Sequence, residues 1–183
     1  EKFANKVELI QDDIRWFNPK ILEQIDLVID LAAMSNDPAG ELDPDKTFDI
    51  NYLGRTRVAK LSKKFGVKRY ILASSASVYG FQENIVNEES PTNPLTTYSK
   101  SAQLAELDIL PLDDDDFTVT VLRFGTLFGA SPRMRFDLGT NAMTYSLFET
   151  GEIMVDGDGK QKRAVLHVKD ASRVYQTIFD SPE

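Results

Sequence analysis

Three short runs constrain the fold most: residues 27–33 (Leu-Val-Ile-Asp-Leu-Ala-Ala), 69–73 (Arg-Tyr-Ile-Leu-Ala) and 118–122 (Thr-Val-Thr-Val-Leu). Each is apolar or β-branched through most of its length rather than alternating, as suits a strand covered on both faces in a parallel sheet. Stretches of helical period lie between them. Residues 46–65 place Phe48, Tyr52, Val58, Ala59 and Leu61 on one face and stop at Gly66, and residues 98–110 also read as a helix. Strands alternating with helices of about 10 to 20 residues imply an α/β chain, a parallel sheet covered by helices.

The remaining pattern is shorter. A strand is expected over 7–11, a helix opened by Asn18-Pro19 over 18–25, and a polar loop over 80–96. The four-Asp run at 113–116 has no metal-loop spacing and reads as a solvated turn. A helix is expected over 138–149, short strands over 153–155 and 165–168, and a last helix capped by Asp170. No repeat or linker divides the 183 residues, so a single domain is expected.

Composition narrows the partners. Lys plus Arg is 21 against 29 for Asp plus Glu, a formal charge of −8, which argues against a nucleic-acid or anionic-membrane partner. The absence of Cys excludes a disulfide scaffold, a Cys zinc site and a thiol nucleophile. His167 stands alone, which excludes a multi-His metal site, and it reads as a structural histidine. No apolar run approaches the ~20 residues of a membrane-spanning helix. Nothing resembles a secretion signal, and a cytoplasmic protein is expected.

In parallel sheets ligands sit at the carboxyl ends of the strands. There the chain reads Gln11-Asp-Asp-Ile14, Ala32-Ala-Met-Ser-Asn36, Ser74-Ser-Ala-Ser-Val-Tyr-Gly80 and Arg123-Phe-Gly-Thr-Leu-Phe-Gly129. Small residues at such ends let a flat cofactor approach the backbone. To these add Asn51-Tyr-Leu-Gly54, Tyr98 within Pro94-Leu-Thr-Thr-Tyr98, and Gly157-Asp-Gly-Lys-Gln-Lys-Arg163 followed by Leu166-His-Val-Lys-Asp170. In this combination the chain resembles an extended short-chain dehydrogenase/reductase, of the NAD-dependent epimerase/dehydratase group that acts on nucleotide sugars.

The resemblance implies a Rossmann-type α/β fold, a parallel sheet with helices on both faces, with NAD as cofactor and a nucleotide sugar as substrate. It implies that Asp13 and Ile14 lie along the adenine, and that Leu31, Ala32 and Ala33 line the ribose and diphosphate. Asn51 and Ser74 belong to the same cofactor side. Ser75 aligns with the family's catalytic Ser/Thr and Tyr98 with its catalytic Tyr. Thr126, Asn141 and Arg163 fall on the substrate side, Asn141 and Arg163 at the diphosphate, with residues 131–168 contributing to a substrate lobe. The planar Arg fork suits two phosphate oxygens. Arg133 and Arg135 read equally as phosphate ligands or as solvated charges. Family dimers pair through the helices that here hold residues 46–65 and 98–110, which implies a homodimer.

Hydride transfer from a sugar carbinol requires loss of the hydroxyl proton. A phenol of pKa about 10 takes it near neutrality only if its anion is stabilised. In the family a Lys four residues after the Tyr supplies that charge. Here that residue is Ala102, and Lys100 lies about 200° around an ideal helix from Tyr98. A variant enzyme using another cation, an inactive or engineered form, and a binding protein on a dehydrogenase fold all remain open. The family also opens with a strand, a Gly-rich turn and a helix, which this chain does not show. With strand order 3-2-1-4-5-6, residues 7–11 as strand 3 would lie roughly 14 Å from strand 4, so residues ahead of Glu1 are expected. Family dehydratases follow the catalytic Ser/Thr with Asp-Glu and decarboxylases use a Glu there. Ala76 and Ser77 do neither, which favours epimerisation at the sugar C4 or a reductase of similar site.

Overall fold

In this computed structural model, residues 6–35, 37–155 and 157–181 are described. The chain forms two compact units, one of residues 1–74 with 78–122 and one of residues 75–77 with 123–183.

The first unit is built on β1 (Leu27–Asp30), β2 (Arg69–Ser75) as far as Ser74 and β3 (Thr118–Phe124) as far as Leu122, in the order β1-β2-β3. β1 and β2 run parallel, from Leu27 opposite Arg69 to Asp30 opposite Leu72. The helices are α1 (Asp37–Leu42), α2 (Pro44–Phe48), α3 (Arg55–Lys64) and α4 (Thr97–Ile109). A π-helical turn, Asp49–Gly54, joins α2 to α3, so the stretch read as one helix is helical throughout but widened near its middle. Phe65 caps α3, and Gly66 leaves it at φ +80°, a conformation costly for any residue with a Cβ. Tyr70 and Leu72 from β2, Val58 and Ala59 from α3, Ala105 and Ile109 from α4, and Phe117 make one buried cluster with Phe17, Leu22 and Val67. The cluster packs α3 and α4 against the strands, and β2 is the most buried of the three, while Ile29 of β1 is exposed and β3 is only half-buried.

The second unit holds a parallel pair, β4 (Thr126–Phe128) and β5 (Val165–His167), with α5 (Gly139–Thr150) and α6 (Val168–Asp180). Aromatic edges pack it: Phe124 against Tyr175 at 5.6 Å and Phe128 against His167 at 5.2 Å between centroids.

Four expectations need correction. Residues 7–11 are irregular, with Val7 and Leu9 exposed; β1 hydrogen-bonds to β2 instead, and an unpaired segment has no ladder to hold it extended. Residues 153–155 are likewise irregular. The first buried strand ends at Asp30, because its carboxylate turns back to accept from the Ala32 amide. Asp170 does not cap α6. His167 does, its Nδ1 accepting from the Lys169 amide at 3.2 Å, while Asp170 sits in the first turn and pairs with Arg173. The structural reading of His167 agrees with that cap. The turn at 113–116 is closed by a bridge between Asp114 and Phe117, and Asp114 pairs with Lys63.

Candidate active site

The carboxyl ends of β1 and β2 are fixed by a buried polar cluster. Asp30, Arg55 and Tyr70 are all under a tenth exposed. The Tyr70 hydroxyl donates to Asp30 Oδ2 at 2.5 Å, and Arg55 Nε donates to the same oxygen at 3.2 Å. Arg55 Nη2 donates to the carbonyls of Asp30 and Ala73 at 3.1 and 2.7 Å. Burial, and then the Asp30 charge, push the Tyr70 phenol well above its ordinary value. Beyond this anchor, Leu31 and Ala33 are exposed and Ala32 is half-buried. The next residues are held by Asn51, which is buried in the π-helical turn. Its Oδ1 accepts from the Met34 amide at 2.8 Å and its Nδ2 donates to the Met34 carbonyl at 3.0 Å.

Asp13 is held by Arg15. Oδ1 accepts from the Arg15 amide and Nε, both at 2.9 Å, and Oδ2 accepts from Nη2 at 2.7 Å. These bonds hold the carboxyl at about 2. Arg15 also reaches Asp49 and lies over Trp16. Ile14 packs on Gly54, where a Cβ would come within 3.0 Å of it. Ile10, Asp12, Asp13, Ile14, Val28 and Val58 are among the residues lining a mostly apolar hollow of about 250 Å³.

Ser74 is buried and its hydroxyl donates to the buried Glu106 carboxylate of α4. Ser75 Oγ accepts from the Ser77 amide at 3.2 Å and from the Ser77 hydroxyl at 2.9 Å. A hydroxyl has two lone pairs and one proton, so Ser75 keeps its O–H to donate elsewhere. Tyr98 is the second residue of α4. Thr96 caps that helix in a reciprocal box with Ser99, which fixes where α4 starts and so where Tyr98 stands. Ala102 is 4% exposed. Lys100 is exposed, and its charge acts on Glu41.

In the second unit, the Thr126 amide donates to the Ala164 carbonyl at 2.9 Å. Asn141 is buried, its Oδ1 accepting from the Gly129 amide at 3.1 Å and its Nδ2 donating to the Arg135 carbonyl at 2.9 Å. Thr126 and Asn141 therefore share one small framework, which Arg163 enters as an exposed residue one position before Ala164. Arg135 pairs with Asp137. The anchoring roles of Arg55, Tyr70 and Glu106 were not read from the sequence. Their signal was present: Arg55 falls on the stripe of Phe48, Tyr52 and Ala59, and Asp30 interrupts an apolar strand.

Residues 6–183 match the family model of the NAD dependent epimerase/dehydratase family. The chain belongs to that family. A UDP-glucuronate 4-epimerase of Thermodesulfobacterium geofontis is 31% identical over 81% of this chain and 46% of its own length. UDP-glucuronic acid decarboxylase 1 of Xenopus tropicalis is 29% identical over 89% of this chain and 39% of its own. Among solved structures, MoeE5 in complex with UDP-glucuronic acid and NAD aligns with a TM-score of 0.86 at 27% identity. It covers 95% of this chain and 59% of that one. The chain spans about half the length of these relatives. Their fold agrees with the parallel sheet and helices expected from the sequence.

Proposed function

We propose that the protein is an NAD-dependent nucleotide-sugar epimerase that inverts the sugar at C4, with Ser75 and Tyr98 as its catalytic pair. The observation that carries this reading is the turn after Ser75. Ala76 has only a methyl group, and the Ser77 hydroxyl is spent on Ser75. Elimination of water or loss of carbon dioxide needs an acid or base there, and neither residue supplies one.

The described residues suit the adenosine half of a dinucleotide. Asp13 is ionised, oriented by Arg15 and placed at the rim of an apolar hollow, ready to accept from an amino or hydroxyl group. Leu31 and Ala33 offer small and apolar cover at the end of β1. Bound there, the nicotinamide cofactor supplies a hydride acceptor that returns the same hydride. Tyr98 Oη takes the sugar hydroxyl proton in one direction and gives it back in the other. The Ser75 O–H donates to the reacting sugar oxygen and stabilises the charge that grows on it. Asn141 and Arg163 hold the diphosphate and leave the sugar able to turn. The proton therefore stays on the enzyme while the sugar presents its other face.

A homodimer through the helices of residues 46–65 and 98–110 fits the exposure of Leu53, Leu107 and Leu110. A cytoplasmic location is part of the same proposal. No described helix is long and apolar enough to cross a membrane. A second reading, an NAD- or nucleotide-sugar-binding protein of impaired activity, is favoured by Ala102, whose buried methyl group stands where the family has an ammonium.

The deciding experiment denatures the purified full chain, assays released NAD, and follows a panel of UDP- and dTDP-sugars by NMR. Released NAD with C4 epimers supports the enzyme. Released NAD without turnover supports the binding protein. Formation of 4-keto-6-deoxy sugars, pentoses or net reduction products rejects epimerisation.

A further inference from the structure

We infer that Gly40, in α1, is a positioning residue for Tyr98, and that the absence of a side chain at residue 40 sets where the phenol stands. This rests on the reading of Tyr98 as the proton-transferring group. Gly40 is buried within α1, and its φ is not in the left-handed region, so chain conformation does not call for glycine. Inside a helix, glycine is less stable than alanine. Space is what demands it. A Cβ on Gly40 would lie 3.1 Å from Tyr98 Cβ, 3.3 Å from its amide nitrogen and 3.5 Å from its Cα.

α1 has nowhere to retreat. The Gly40 carbonyl accepts from the Thr47 hydroxyl at 3.0 Å, and Thr47 is fully buried on α2. On the other side, two carboxylates of α1 hold the start of α4. Asp37 accepts from the Thr96 hydroxyl, and Glu41 accepts from the Thr97 amide at 2.6 Å. That amide bond keeps the Glu41 carboxyl below its ordinary value. Residues 37, 40 and 41 share one helix face, so Gly40 sits between two clamps and directly against Tyr98. An added methyl group must therefore move Tyr98 by a few tenths of an ångström rather than displace α1.

α1 also follows the segment 31–35 within a few residues, and Asn51 fixes that segment at Met34. The same short path thus leads from the cofactor side of the sheet to the phenol.

The test is Gly40→Ala in the full chain, with Leu42→Ala, exposed on the same helix, as control and Tyr98→Phe as reference. Gly40→Ala is expected to leave Tm unchanged or raised while kcat falls roughly 10-fold with KM unchanged. In protein labelled with ¹⁵N-tyrosine, the Tyr98 amide resonance, assigned by its loss in Tyr98→Phe, is expected to shift in Gly40→Ala and not in Leu42→Ala. An unshifted resonance, unchanged kcat, or a kcat loss that merely follows a fall in Tm overturns the inference. If Tyr98→Phe keeps full activity, the catalytic reading of Tyr98 falls and the inference falls with it. If Tyr98→Phe is dead and Gly40→Ala is normal, only the positioning role is lost.

Discussion

Arg55, at the start of α3, donates a 2.7 Å hydrogen bond to the main-chain carbonyl of Ala73, two residues before Ser75 on β2. The same guanidinium meets the Asp30 carboxylate and carbonyl at the end of β1. One side chain thereby ties together the ends of β1 and β2, which lead into residues 31–33 and the serine proposed as catalytic.

Removing one partner of this pair leaves the other charge buried. Arg55→Met is expected to lower the free energy of unfolding by about 3 to 5 kcal/mol. Arg55→Met combined with Asp30→Asn is expected to cost less than the sum of the two single changes. Denaturant titrations of the three variants check this, and strict additivity would show that the charges do not act as a pair.

Asp13 gives a pH signature. Its folded pKa of about 2 lies below the ordinary 3.8. A depressed carboxyl contributes stability above its unfolded pKa and loses it as pH falls through the folded one. That part of the stability is therefore expected to fade between pH near 4 and pH near 2. Arg15→Met should flatten the profile in that window, and high salt should weaken the effect because the pair is partly exposed. Thermal melts from pH 5 to pH 2 read it.

Ser74 and Glu106 join β2 to α4 inside the core. Ser74→Ala removes a donor from a buried carboxylate and is expected to cost about 1 to 3 kcal/mol. The matching measurement is urea unfolding. A neutral result would show that water replaces the hydroxyl.

Ala102 follows Tyr98 by one helical turn. Ala102→Lys places a cation where it favours the phenolate, and a pKa lowered by 2 to 3 units would raise the phenolate fraction near neutrality roughly 10²- to 10³-fold. Turnover of the variant is expected to exceed that of the parent, with the acid limb of the pH–rate profile moved down. Equal turnover with the same midpoint would show that another group supplies the charge, and Lys100→Ala should then abolish activity.

Much of this fold was legible because burial writes itself as composition. Residues 27–30, 69–75 and 118–124 are strands as their apolar and β-branched runs suggest, most fully where burial is greatest, at Tyr70, Ile71 and Leu72 of β2. Residues 7–11 look the same locally, yet a strand exists only where a neighbour completes its hydrogen bonds, and local sequence does not say which neighbour is present. The α6 cap was misplaced for a related reason. Asp170 is the better capping residue by type, but the helix begins at Val168, and the imidazole of His167 is the group in reach. Ser75 and Tyr98 are singled out by their position in the pattern, and their roles rest on the proposal above. The contacts around them, Gly40 under Tyr98 and Arg55 under Ala73, join residues far apart in sequence and required the structure.

The most direct measurement follows deuterium in a UDP-sugar labelled at C4 and incubated with the full chain. The expected product is the C4 epimer with the deuterium retained at C4, with conversion lost in Tyr98→Phe. Conversion with the label at another carbon or in solvent, or a product lacking a C4 hydroxyl, would contradict hydride return at C4.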